Sequence, residues 1–474
     1  MKRLKISGSD GCKLHLKFPL FRELKIRGVT EFSAEVVTRW TVGVIKGKPF
    51  EKLELSKINL TSAVAEALGQ LLPELSALQT LEINRLTEWS DGGGAKFFAA
   101  LKHKTLKELD LSGINVKPTA TEALGQSLPE LSALKTLKIS GLTECSDEAV
   151  TKLVSAIKHK TLKDLELSKI NLTSAVAVAL VQSLSELPSL QDLTVDGLDG
   201  CNLHLRLSVL PELEISGLTE FPAEAVTRLI DIIKNKPFVK LELSEINLTS
   251  AVAEALGQLL PELSALQTLE INGLTEWSDG AGTIFFAAFK HKTLKELDLS
   301  EISVMSAATE ALGQSLPELS ALRSLKISGL DKCMLQQKEV EALFGSFNRP
   351  SSIKELWFTG FTARGSLAPL VKNLCLFPCL KVLKLEDLDM GEDDLSDLLE
   401  NLKFTPDLES LHLSGNPLGH VVRSMTPCLL EQQKLQMVYF GPEDCSEEDL
   451  RYVQEAVEEK RPRLRIETWF WQDE

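Results

Sequence analysis

The chain has 474 residues, 43 % of them hydrophobic and 25 % charged, with a formal net charge of −15 and a pI near 5.2. An acidic surface repels phosphates and anionic headgroups, which sets nucleic acid and membrane surfaces aside as partners. No apolar run approaches the roughly 18 to 20 residues of a membrane helix, and Met1-Lys2-Arg3-Leu4-Lys5-Ile6-Ser7-Gly8 lacks the apolar core of a secretory leader, so the expectation is a cytoplasmic protein.

From the N-terminus onward one phrase returns. Weak versions at Leu4 and Leu24 lead into Leu53-Glu54-Leu55, Leu81-Glu82-Ile83, Leu109-Asp110-Leu111, Leu137-Lys138-Ile139 and Leu165-Glu166-Leu167, spaced by 28 residues. It continues at Leu193, Leu213, Leu241, Leu269, Leu297, Leu325, Leu356, Leu383 and Leu411. A fixed period of this size means a solenoid, because one such unit cannot bury its apolar face except against the next. The alternation in Lys52-Leu53-Glu54-Leu55-Ser56 is that of a strand with its leucines inward and Glu54 outward. Thr61 or Ser62 then offers an N-cap, Ala63 to Leu72 favours helix, and Pro73 is expected to stop it.

Strands and helices alternating at this spacing predict a parallel sheet lining a concave face, with helices on the convex face. Helices about 10 Å wide stacked behind strands about 4.8 Å apart would make the array a horseshoe. The expectation is a single α/β solenoid domain over residues 1–474. Within it, 1–330 carries a duplication and 331–474 a divergent end.

The duplication is explicit: Leu60 to Asn84 reappears unchanged as Leu248 to Asn272, 188 residues on. Each copy contains one short step of 20 residues, Leu4 to Leu24 and Leu193 to Leu213, too short for a full helix and expected to bend or flatten the stack. Beyond Asp331 the pattern drifts. Helices are predicted over Gln336 to Phe347, Gly391 to Leu402 and Ser446 to Glu458, the last capped by Ser446. Leu464 to Trp471 reads as an edge strand whose aromatics would cover the end of the core. No comparable cap precedes Leu4, so a longer natural chain is expected.

Leucines at this spacing with one helix per unit resemble leucine-rich repeats of the ribonuclease-inhibitor type. That family places asparagine five residues after the first strand leucine, and here only Asn416 fits. Ile58, Leu86, Ile114, Leu142 and Ile170 stand there elsewhere, so the loops must find other backbone partners. Leu408 to Leu418, Glu447 to Val453, Glu459-Lys460-Arg461-Pro462 and Trp469-Phe470-Trp471 resemble the end of the repeat region of NLR immune receptors. The resemblance implies a ligand-sensing or autoinhibitory array preceded by a nucleotide-binding module absent from this chain. Gly92-Gly93-Gly94-Ala95-Lys96 lacks the phosphate-loop spacing.

Between the paired leucines stand Glu54, Glu82, Asp110, Glu166, Glu214, Glu242, Glu270 and Asp298, interrupted by lysines such as Lys25, Lys138, Lys326 and Lys384. These carboxylates are either a solvated face eased by Lys52, Lys57, Arg85 and Lys240, or a binding surface for a basic protein. Trp357 and His412 occupy the same outward places, and a rigid exposed ring is a natural interface anchor. Trp89 and Trp277 read as loop braces, and His103, His159 and His291, in the shared Lys-His-Lys-Thr, as solvated turns. Cys375 and Cys379 have no second pair at zinc-site distance, and the acidic run Asp387 to Asp397 lacks the calcium-loop glycine and closing glutamate. No enzyme activity and no cofactor are expected. Two functions stay open: an NLR-like sensing array, or a free-standing inhibitor or scaffold that binds a basic protein.

Overall fold

The structure, a computed structural model, describes residues 2–7, 13–18, 22–27, 49–56, 59–60, 62–84, 88–89, 91–102, 105–198, 202–207, 212–217, 222–234, 237–246, 249–273, 279–289, 293–302 and 306–468. Its contacts gather into two compact units, Met1–Leu210 with Gly217–Ile232, and Pro211–Ser216 with Ile233–Glu474.

In the first unit a parallel ladder runs from Glu23–Arg27 through Lys52–Ser56, Thr80–Asn84, Glu108–Gly113, Thr136–Ser140 and Asp164–Ile170 to Asp192–Gly197. In the second it runs from Glu212–Ser216 through Lys240–Ser244, Thr268–Asn272, Glu296–Ile302, Ser324–Met334, Glu355–Thr362, Val382–Lys384, Ser410–His412 and Met437–Phe440 to Arg465–Thr468. Register pairs leucine with leucine, so Leu53 lies beside Leu81 and Leu269 beside Leu297. Leu137, Ile139, Leu325 and Leu411 are fully buried, each stabilising the fold by about 1.5–3 kcal/mol. This is the α/β leucine-rich-repeat solenoid predicted from the spacing.

The short steps carry no full helix, as expected, and each is filled by an extra strand. Lys13–Phe18 runs antiparallel to both Lys2–Ser7 and Glu23–Arg27, and Asn202–Leu207 runs antiparallel to Asp192–Gly197. Twenty residues leave no room for a crossover helix but suffice for a reversed strand whose leucines, Leu203 and Leu205, are buried like any others. The sheet of the first unit is therefore parallel only between these insertions.

Pro73 ends its α-helix as expected: Ser62–Leu71 gives way to a 3-10 turn, Leu72–Glu74, whereas the same sequence in the second copy forms one helix, Ser250–Glu262, through Pro261. Proline within a last turn removes a bond without ending the element. Thr249 caps that second helix, its Oγ1 accepting from the Val252 amide at 3.3 Å. The divergent end forms the helices Gln337–Phe344, Glu392–Asn401 and Glu447–Lys460, and the strand Arg465–Thr468. Ser446 caps the last helix. Trp469, Phe470, Trp471, Lys57, Arg85, His103, His291 and the side chains of Trp89 and Trp277 lie outside the described residues.

Several loops replace the missing asparagine with backbone. There the residue four places after the first strand leucine takes a left-handed conformation, and its N–H donates to the carbonyl at the third place in the next repeat: Gly273 to Ser300 at 3.2 Å, Glu245 to Asn272 at 3.1 Å, Gly141 to Ser168 at 2.9 Å; the Glu301 amide donates to Ser328 Oγ at 3.1 Å instead. Glycine suits that turn, yet Lys169, Glu245, Glu301 and Asp387 occupy it at φ of 51–53°. Asn416 is buried as its spacing predicts. Its Oδ1 accepts from the amides of Leu388 and Met390 at 3.1 and 3.0 Å, and its Nδ2 donates to the carbonyls of Leu385 and Leu413 at 2.7 and 2.6 Å.

His159 corrects the solvated-turn reading. Its residue is 4 % exposed, its Nε2 meets no partner, and burial lowers its pKa against a bond to the Leu128 backbone that raises it. A turn folded onto the neighbouring repeat buries what an isolated turn would expose. Cys145, Cys375, Cys379, Cys428 and Cys445 are free thiols. No described helix is long and apolar enough to cross a membrane.

Candidate interaction face

Every residue between paired strand leucines stands on the face of the sheet away from the leucine core, because side chains alternate along a strand. Register then places them in rows. In the first unit the row reads Lys25, Glu54, Glu82, Asp110, Lys138, Glu166, Thr194, His204. In the second it reads Glu214, Glu242, Glu270, Asp298, Lys326, Trp357, Lys384, His412, Tyr439, Glu467.

Neighbours about 4.8 Å apart across a sheet would repel if all were carboxylates. The structure relieves this with lysines. Lys25 Nζ lies 2.5 Å from Glu54 Oε2, Lys52 pairs with Glu82 on the next strand, and Lys138 meets Glu166 at 2.9 Å. Lys240 serves two carboxylates, Glu270 at 2.7 Å and Glu242 at 3.4 Å. Burial alone would lower the pKa of Lys52 and of Lys240, but Glu82 and Glu270 outweigh it and leave both raised; Lys138 is raised first by its bond to Glu166. Asp110 is turned into its own strand, accepting from the Ser112 amide at 2.9 Å and hydroxyl at 2.6 Å. Asp298 accepts likewise from Ser300 Oγ at 2.5 Å and lies 3.4 Å from Lys326. The row is charged and largely paired.

The two copies differ at both ends of the shared stretch. Where Glu54 has Lys25 beside it, Glu242 has Glu214; where Lys138 has Glu166, Lys326 has Trp357. Trp357 Nε1 is covered and without a partner, while two ammonium groups cap the ring: Lys384 Nζ at 3.9 Å and Lys326 Nζ at 4.4 Å from its centroid. Such contacts are worth about 0.5–1 kcal/mol at exposed sites. Next to Lys384, the His412 ring stacks on Tyr439 with centroids 4.3 Å apart and planes at 24°, Ser410 Oγ lies 2.8 Å from His412 Nε2, and Glu386 Oε1 lies 3.5 Å from Nδ1. Burial, and then Glu467, raise the Tyr439 pKa.

All the outward residues singled out in the sequence therefore lie on one such face in their own unit. Tyr439 and Glu386 were missed. Tyr439 was legible, since Val438 and Phe440 are buried in the two leucine places on either side of it.

Comparison with known proteins now bears on the fold. The chain is 26 % identical over 463 residues to ribonuclease inhibitor of Mus musculus, covering 90 % of this chain and 97 % of that protein. The chain is a ribonuclease-inhibitor-like leucine-rich-repeat protein that resembles NLR repeat regions. The second resemblance rests on NLR family CARD domain-containing protein 4 of Xenopus tropicalis, 26 % identical over 305 residues and 60 % of this chain, and on Protein NLRC5 of Ictalurus punctatus, 24 % identical over 380 residues and 74 % of this chain. This leucine-rich-repeat array spans 29 % and 20 % of the length of those two proteins. No family model matches the sequence.

Proposed function

We propose that this leucine-rich-repeat array is a non-catalytic, cytosolic protein-binding surface, acting as the ligand-sensing or autoinhibitory region of an NLR-type receptor. One observation supports the reading: register aligns Glu54, Glu82, Asp110 and Glu166 in the first unit, and Glu214, Glu242, Glu270, Asp298, Trp357 and His412 in the second, on sheet faces backed by a buried leucine core. A rigid, charged ribbon with aromatic anchors suits recognition of a folded partner. A nucleotide-binding module outside these residues belongs to the same proposal.

The 97 % coverage of the mouse inhibitor favours a second reading, a free-standing inhibitor or scaffold for a basic protein. The transcript decides between them. A frame that runs upstream into a nucleotide-binding module supports the first, and a stop codon just before Met1 supports the second. For either, affinity for the captured partner should fall, and its salt dependence flatten, when Glu242, Glu270 and Asp298 become amides. Unchanged affinity and slope would remove the acidic half from the surface.

Residues 1–474 are proposed to behave as one domain despite the clustering of contacts. A single calorimetric transition supports this, and two separable transitions contradict it.

A further inference from the structure

The proposed face of the second unit changes character at Lys326, and that change names the chemistry of what it holds. The duplication supplies an internal control. Lys138 and Lys326 occupy the same place in the two copies, but Lys138 is bound by Glu166 at 2.9 Å, whereas the next strand offers Lys326 an indole. Lys326 is left with Asp298 at 3.4 Å, a carboxylate already turned to Ser300 Oγ. Lys384, on the strand beyond Trp357, has no ion pair among the described residues and rests on the indole at 3.9 Å. A ring face attracts an ammonium group but accepts none of its three hydrogen bonds in the manner of a carboxylate. Among the described residues these two cations thus keep donors for a ligand beside the ring, and the His412–Tyr439 stack extends the platform by two strands.

We propose that Lys326, Trp357 and Lys384 form a docking site for an acidic segment of a partner protein, opposite in sign to what the carboxylates from Glu214 to Asp298 would attract. It deepens the binding reading above and rests on it. The two ammonium groups lie 4.4 and 3.9 Å from one ring centroid and so are at most about 8 Å apart, a span that suits residues two apart in an extended peptide, about 6.6 Å at 3.3 Å per residue, whose side chains share a face. The site therefore takes two carboxylate side chains spaced i and i+2, with the residue between them crossing the indole. Glu355, Glu386 and Glu467 rim the platform and, with the net charge of −15, disfavour a continuous polyanion such as a nucleic acid.

The test uses the full chain and fluorescein-labelled dodecapeptides with a Glu-Ser-Glu core, a Gln-Ser-Gln core and a Lys-Ser-Lys core, beside a labelled twelve-nucleotide thymidine strand, followed by anisotropy at two salt concentrations. The glutamate peptide should bind at least tenfold more tightly than the other probes. Lys326→Ala and Lys384→Ala should each weaken it about fivefold, Lys384→Arg should retain it, and the peptide should quench emission present in the wild type and missing from Trp357→Phe, a variant that keeps the packing. Equal binding of glutamate and glutamine peptides, or variants without effect, would overturn the proposal, and preferential binding of the thymidine strand would replace it with a nucleic-acid site. Glu242→Gln with Glu270→Gln separates the two claims. If that variant loses the captured partner while no acidic peptide binds, this site fails and the broader reading survives; if neither half affects any binding, the broader reading fails with it.

Discussion

Arg461 closes the last repeat, and its replacement gives the sharpest stability test. Its guanidinium lies past the end of the helix Glu447–Lys460 and reaches back to the preceding repeat, donating from Nη1 to the carbonyls of Leu429, at 2.8 Å, and Gln432, and from Nη2 to those of Gln433 and Leu435 at 3.1 and 2.8 Å. These carbonyls end the helix Met425–Glu431 and turn the chain into the strand Met437–Phe440, where few backbone donors remain for them. At about 0.5–1.5 kcal/mol net per bond, and with part of the group wet, Arg461→Ala should lower the stability of the terminal repeats by about 2–3 kcal/mol. Terminal units of a repeat array open first, so the effect should be local. Hydrogen exchange of amides in Met437–Phe440 and Arg465–Thr468 should accelerate roughly 30- to 150-fold, a tenfold change for each 1.4 kcal/mol, while Thr136–Ser140 stays unchanged. Lysine lacks the planar fork and should recover less than half of the loss. Exchange identical to wild type, or a lysine variant equal to arginine, would refute the clamp.

Other expectations follow from the same structure. Glu301→Gly should raise stability by about 1 kcal/mol in chemical denaturation, because φ of 53° strains a side chain there; Gly273→Ala, at φ of 69°, should lower it by about 1–2 kcal/mol. Asn416→Ala strands the amides of Leu388 and Met390 and should cost about 2–4 kcal/mol, read as a drop in the denaturation midpoint. Asp449, bound by Ser446 Oγ and then, against burial, by Arg423 and His420, has its pKa lowered to about 2 from 3.8. A lowered folded-state value stabilises above the unfolded one, so this contribution is complete above about pH 5 and fades as the pH falls through 4 toward 2. Asp449→Asn should flatten the pH dependence of the melting temperature in that window, and an unchanged acid limb would contradict the assignment.

How much of this was legible depended on whether a residue answers to its own repeat or to its neighbour. Leu53, Leu81 and Leu269 declared the strands because an inward position tolerates only apolar side chains, and stacking fixes the period. Ser446 and Asn416 were readable for the same reason, since each satisfies backbone within a few residues or at a fixed register. The strand at Leu203 and Leu205 was missed, although its residues alternate, because its direction depends on the length of the connection rather than on the repeat period. His159 looked exposed because its burial comes from the adjacent repeat. Which lysine neutralises which carboxylate was equally hidden: Lys52 reaches past Glu54, its neighbour on the same strand, to Glu82 on the next. The outward row could be read residue by residue, whereas the Lys326–Trp357–Lys384 cluster exists only once three strands are in register.

The face itself is tested most directly by comparing three variant sets against one captured partner at fixed salt. These are Glu242→Gln with Glu270→Gln, Lys326→Ala with Lys384→Ala, and a helix-side control, Glu66→Gln with Lys96→Ala, which removes an exposed ion pair of 2.7 Å between the helices Ser62–Leu71 and Asp91–Ala99. Loss of at least tenfold in affinity for one or both sheet-face sets, with the helix-side set within twofold of wild type, is the predicted result. Loss confined to the helix-side set would place recognition on the opposite surface and contradict the account.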